Sequence, residues 1–81
     1  MTAAPWTTEQ VDGKVRFSNA TGSKAVAITI QGLGTDFNDA VPHPIDNGEH
    51  FDLKLDGGAR VYRIFWLTTE PNRQYQWDYT R

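Results

Sequence analysis

Arg60-Val-Tyr-Arg-Ile-Phe-Trp-Leu-Thr68 is the most hydrophobic run in the chain, and its reading decides the fold. Extended, it places Tyr62, Ile64 and Trp66 on one face and Val61, Phe65 and Leu67 on the other, interrupted only by Arg63. A strand that is apolar on both faces belongs inside a sheet, and β-branched and aromatic side chains favour that conformation. Gly57-Gly58 stops it on one side and Pro71 on the other. In a two-layer domain only one face of this strand reaches the core. Arg63 marks the other, so Val61, Phe65 and Leu67 are expected to face outward, covered by an arm around Trp6, by a long loop or by another molecule.

Shorter stretches around it alternate in the same way. Phe51, Leu53 and Leu55 interleave with His50, Asp52 and Lys54, and Asp56-Gly57-Gly58 predicts a hairpin joining them to the central strand. Val26, Ile28 and Ile30 alternate with Ala25, Ala27, Thr29 and Gln31. Val11, Val15 and Phe17 read as one face of another strand, followed by a hairpin loop over Asn19–Ser23. Residues 1–10 read as an extended arm whose Trp6 plugs one end of the core. After the turn at Thr69–Arg73, Tyr75, Trp77 and Tyr79 alternate with Gln74, Gln76, Asp78 and Thr80. Between the strands lies an irregular stretch, 33–48, in which Phe37, Val41 and Ile45 are spaced as anchors. It is expected to cross between two sheets, with a short edge strand near Ala40–His43.

No segment shows helical periodicity. The pattern predicts an all-β fold: a small Greek-key, immunoglobulin-like sandwich or a partly open barrel of about five to seven antiparallel strands. The chain's 81 residues make one domain, since so short a chain builds a single core. Cysteine is absent, which excludes disulfides, thiolate metal sites and a cysteine nucleophile. A net charge of −2 offers no basic stripe for a phosphate backbone, so no nucleic-acid partner is expected. No run is long and apolar enough to span a membrane as a helix, and the composition fits a soluble chain, cytoplasmic or secreted in mature form.

The candidate sites follow from the same alternation. Tyr75, Trp77 and Tyr79 share one face at a spacing of about 6.6–7 Å, which suits a stacking platform for the C–H faces of sugar rings. The competing reading turns the row into the core, because a strand needs one buried face and this is the only apolar one available. Trp66 and Arg63 are added as ligand contacts, and the loop offers Asp36, Phe37, Asn38, Asp39, His43 and His50 for an interaction surface. No cofactor or metal is expected. Counted from Asp36, the loop lacks the Gly at position 6 and the Glu at position 12 of an EF-hand, and nothing in the spacing of His43 and His50 demands zinc. Ser18 and Ser23 lack a nucleophile-elbow context, and a chain this short can hardly shape a deep cleft, so catalysis is not expected. Asn19-Ala20-Thr21 matches the N-glycosylation pattern and would be exposed on its turn. The expected function is a non-catalytic recognition module for a carbohydrate or protein surface. The alternatives are a small effector or inhibitor acting through the 33–48 loop, and a structural subunit assembling through its edge strands.

Overall fold

In a computed structural model, which describes residues 4–55 and 58–81, two antiparallel sheets face each other. The strands are β1 (Trp6–Val11), β2 (Lys14–Asn19), β3 (Val26–Gly32), β4 (Asn38–Ala40), β5 (His50–Leu53), β6 (Val61–Thr69) and β7 (Asn72–Thr80). One sheet has the order β1-β2-β5 and the other β4-β3-β6-β7. The chain is thus an all-β sandwich, and it passes between the layers after β2, after β4 and again between β5 and β6.

The hydrophobic strand, β6, lies inside its sheet between β3 and β7. Tyr62, Ile64 and Trp66 are buried, whereas Val61, Phe65 and Leu67 are half-buried on the outer face. Trp6 does plug the core, 1% exposed, but it does so from within: its ring packs edge-on against Phe51 and Trp66 and gives no cover to the outer face. That face is lined instead by cross-strand neighbours, with Gln74 opposite Leu67 and Gln76 opposite Phe65.

Several local expectations are corrected. Residues 6–11 are a strand, not a free arm, and the stretch read as one strand from Val11 to Phe17 is broken by a two-residue turn. Asp12 and Gly13 both take positive φ, 51° and 77°, as a type I′ hairpin turn requires. Val11 consequently pairs with Lys14 and leaves the face of Val15 and Phe17, because reversing the chain breaks the period of two. The Asn19–Ser23 segment is a crossing, since β2 and β3 lie in different sheets. The same holds for β5 and β6, so no hairpin joins them; Asp56 and Gly57, on which that turn was placed, lie outside the described residues.

β3 carries a bulge that its alternation hides. The register moves from Val26 opposite Leu67 to Thr29 opposite Phe65, so three steps on β3 match two on β6, with Ala27 in the left-handed region at φ 52°. The extra residue shifts the phase of the strand. Ile28 and Ile30 point inward as expected, but Val26 turns outward beside Leu67 and Ala25 is buried in its place, bridged to Ile45.

The long segment is tied down where its anchors predict. Phe37 packs edge-on against Tyr62 at 5.4 Å, the Val41 amide donates to the Ile28 carbonyl, and Ile45 exchanges two backbone hydrogen bonds with Ala25. The edge strand forms two residues earlier than expected, at Asn38–Ala40, where side chains accept exposure and Pro42 leaves the pairing intact.

Candidate recognition surface

The face of β7 that carries Tyr75, Trp77 and Tyr79 is continuous with the core-facing side of β6, where they sit opposite Trp66, Ile64 and Tyr62. β7 is the outermost strand of the larger sheet, and the opposing sheet has only three strands, so cover runs out before the row is fully enclosed. Trp77 and Tyr79 are half-buried and Tyr75 remains 37% exposed. The row thus faces the interior, as the core reading has it, and also reaches solvent along the side of the sandwich.

Two runs of ring contacts anchor this row. From Phe51 on β5 one passes through Trp6 and Trp66 to Tyr75, which stacks on Trp66 at 5.6 Å with 18° between planes. The other passes from Phe51 through Phe17 to Tyr79, with 5.2 and 5.4 Å between centroids. Trp77 lies between the two tyrosines, makes a ring contact with Tyr79 at 6.3 Å and a tilt of 38°, and packs against the core. Ring pairs of this kind contribute about 0.5–1.5 kcal/mol beyond the area they bury. Tyr75 is therefore held by its stack on Trp66 and is the most exposed member of the row.

Beside Tyr75 the surface opens into a cavity of about 240 Å³. Its apolar wall is the Trp66 and Tyr75 rings and Pro5; its polar wall is Thr21, Ser23 and Thr68. Asn19, 3% exposed, fixes that polar wall. Its Nδ2 donates to the carbonyls of Ser23 and Ile45, both at 2.8 Å, while its Oδ1 accepts from the Thr21 amide at 2.9 Å and the Thr21 hydroxyl at 2.7 Å. The side chain is thus buried and spent, which corrects the expectation that Asn19 is exposed on its turn. Sequence reasoning missed Asn19 as a structural residue because its partners at Ile45 come from a distant segment.

The remaining candidates are dispersed. Trp66 is 3% exposed and serves mainly as the floor under Tyr75. Arg63 projects from the opposite face of the sheet, where its guanidinium grips Asp78 across the strands at 2.7 and 3.1 Å; it is not brought to the aromatic row. A matching pair, Arg16 with Asp52 at 2.8 and 3.2 Å, lies on the outer face of the smaller sheet. In each pair the hydrogen bond from arginine holds the aspartate carboxyl below its ordinary value. Asp36, Asn38 and Asp39 are exposed along the β4 side, and Phe37 is turned inward. His43 and His50 are exposed and line one shallow depression with Asp52. Among the described residues no three His, Asp or Glu side chains gather to hold a metal ion.

Comparison with protein-family models, with curated proteins and with solved structures finds no match to this chain. Among the described residues no helix is long and apolar enough to cross a membrane.

Proposed function

We propose that this domain is a non-catalytic recognition module whose contact surface is the aromatic row of β7, and that its ligand is a carbohydrate. The observation that carries the reading is the meeting of an exposed aromatic ring with a polar wall: Tyr75 forms one side of a cavity whose other side holds Thr21, Ser23 and Thr68. There the Thr21 and Thr68 hydroxyls already donate to Asn19 and to the Pro71 carbonyl, and Ser23 offers its hydroxyl to a ligand. Sugars need both, since their C–H faces stack on aromatic rings while their hydroxyls exchange hydrogen bonds. A cavity of about 240 Å³ falls below the roughly 300–1,000 Å³ of drug-sized sites, so it suits one ring of a longer glycan. Trp77 and Tyr79 then receive the following units along the strand.

The 33–48 segment supports the inhibitor reading less well. Phe37, Val41 and Ile45 bind it to the sandwich, which leaves no long free loop for insertion into a partner.

The test is a glycan-array screen of the wild type beside Trp77→Ala and Tyr75→Ala, with circular dichroism on each. Because both side chains are incompletely buried, the variants are expected to stay folded and to lose a wild-type hit by about tenfold or more. An array on which the wild type binds nothing refutes the carbohydrate assignment, and hits that survive both substitutions refute the site.

A further inference from the structure

An edge strand presents a row of unpaired amides and carbonyls, and proteins blunt such edges by keeping them short, bulging them, or placing proline or like charges along them. β4 has three residues and β5 four, and β1 begins directly after Pro5. β7 follows Pro71 as β1 follows Pro5, and it carries Arg73 and Asp78, but it is neither short nor bulged. It runs nine residues without proline, and its pairing with β6 is continuous from Asn72 to Thr80 without a register shift. Among the described residues its other side has no neighbouring strand.

The sequence of this edge complements itself. When an antiparallel strand pairs with its own copy about a twofold axis normal to the sheet, opposed side chains must lie on the same face, so the two residue numbers of each pair share parity. Among the registers that satisfy this, the one centred on Gln76 pairs all nine residues. It sets Arg73 opposite Tyr79, Tyr75 opposite Trp77, Gln74 opposite Asp78 and Asn72 opposite Thr80, with Gln76 opposite itself. An arginine meets an aromatic ring, aromatic rings meet each other, an amide meets a carboxylate, and no like charges are opposed. Moving the axis to Trp77 would bring Arg73 against Arg81, and moving it to Tyr75 would shorten the ladder.

We infer that two copies of this chain associate by pairing β7 with β7 about an axis through Gln76, joining their larger sheets into one of eight strands. The pairing uses backbone groups in the plane of the sheet, whereas the ring faces project from it. Both aromatic rows therefore stay on one side of the joined sheet, as a double row flanked by the two smaller sheets. The inference stands independently of what the row binds, and its test needs no ligand.

Sedimentation equilibrium of the full chain at low salt is expected to show a mass rising from 9.2 kDa toward twice that value as concentration approaches about 1 mM. Gln76 is exposed, so Gln76→Lys and Gln76→Glu leave the fold intact but oppose like charges at the axis. Each alone should weaken association by about tenfold or more, and an equimolar mixture should restore it. In this cysteine-free chain, Gln76→Cys should cross-link under mild oxidation much faster than Gln74→Cys, since only residue 76 faces its own copy within disulfide reach. A wild type that stays monomeric at about 1 mM overturns the inference. So does association indifferent to both charge variants, or cross-linking as fast at position 74 as at 76.

Discussion

Replacing Asn19 by Asp isolates the polar fastening that joins the crossing after β2 to the segment around Ile45. The substitution keeps the volume, so it opens no cavity, and the remaining Oδ1 still accepts from Thr21. What changes is the other atom, which donates to the Ser23 and Ile45 carbonyls at 2.8 Å in the wild type and becomes an oxygen facing both. Two lost hydrogen bonds cost about 1 kcal/mol each. The Ile45 and Ser23 carbonyls keep the Ala25 amide and the Thr21 hydroxyl, but a buried carboxylate oxygen that faces both without a donor adds roughly 1–3 kcal/mol, for a deficit of about 3–5 kcal/mol at neutral pH. A chain of 81 residues is stable by about 4–12 kcal/mol, so the deficit is a large fraction of the total.

The sign with pH follows from the same geometry. The new carboxyl is harder to ionise in the folded state, so the unfolded chain releases its proton first, and the deficit grows as pH rises above about 4. Below that, a neutral carboxyl donates to one carbonyl and regains part of the loss. Urea titrations followed by tryptophan fluorescence at pH 7 and near pH 4 measure this. At about 1 kcal/mol/M, the midpoint at pH 7 should drop by about 3–5 M relative to wild type, and the gap should narrow in acid. A deficit below about 1 kcal/mol, or one equal at both pH values, would refute the reasoning.

Gly32→Ala should destabilise by about 1–3 kcal/mol and lower the melting temperature on the order of 10 °C, because the new Cβ would meet Thr35 Oγ1 at 2.8 Å and Phe37 Cβ at 3.0 Å. Ala27→Gly should be neutral or gain up to about 1 kcal/mol in chemical denaturation, since relief of a left-handed φ outweighs the added freedom of the unfolded chain. The depressed carboxyls of Asp52 and Asp78 contribute stability above the ordinary carboxylate range and lose it as pH falls through their lowered values. Stability measured between about pH 5 and 2 should therefore fall less steeply in an Arg16→Gln, Arg63→Gln double variant than in wild type.

How far the sequence could be read depended on the range of the forces involved. Alternation marked β5, β6 and β7 and assigned the inner and outer faces of β6 correctly, because burial of one face writes a period of two into the residues themselves. The anchors Phe37, Val41 and Ile45 were legible for the same reason. Partners were not: alternation says which side chains go inward but not which strand lies alongside, so two crossings were read as hairpins. The Asp12-Gly13 turn carried a clear local signal, obscured because Val11, Val15 and Phe17 continued an apolar parity across it. The β3 bulge left no mark, since Ala27 is not the glycine that a left-handed residue favours. For the candidate site, the aromatic row was visible but not its half-exposure, which depends on one sheet being a strand narrower than the other. Arg63 parted from the row because its face was shared with Asp78, a pairing visible only once β6 and β7 are in register.

Trp6 places a constraint on the order of events during synthesis. It leaves the ribosome well before the rings that enclose it, Phe51 and Trp66, which lie 45 and 60 residues further along the chain. The β1–β2 hairpin can form early around its tight turn, but its largest apolar side chain has no lasting shelter until β6 has emerged. The nascent chain thus exposes an indole while the strands from β2 to β6 are being made, and stable closure of the core follows the emergence of β6.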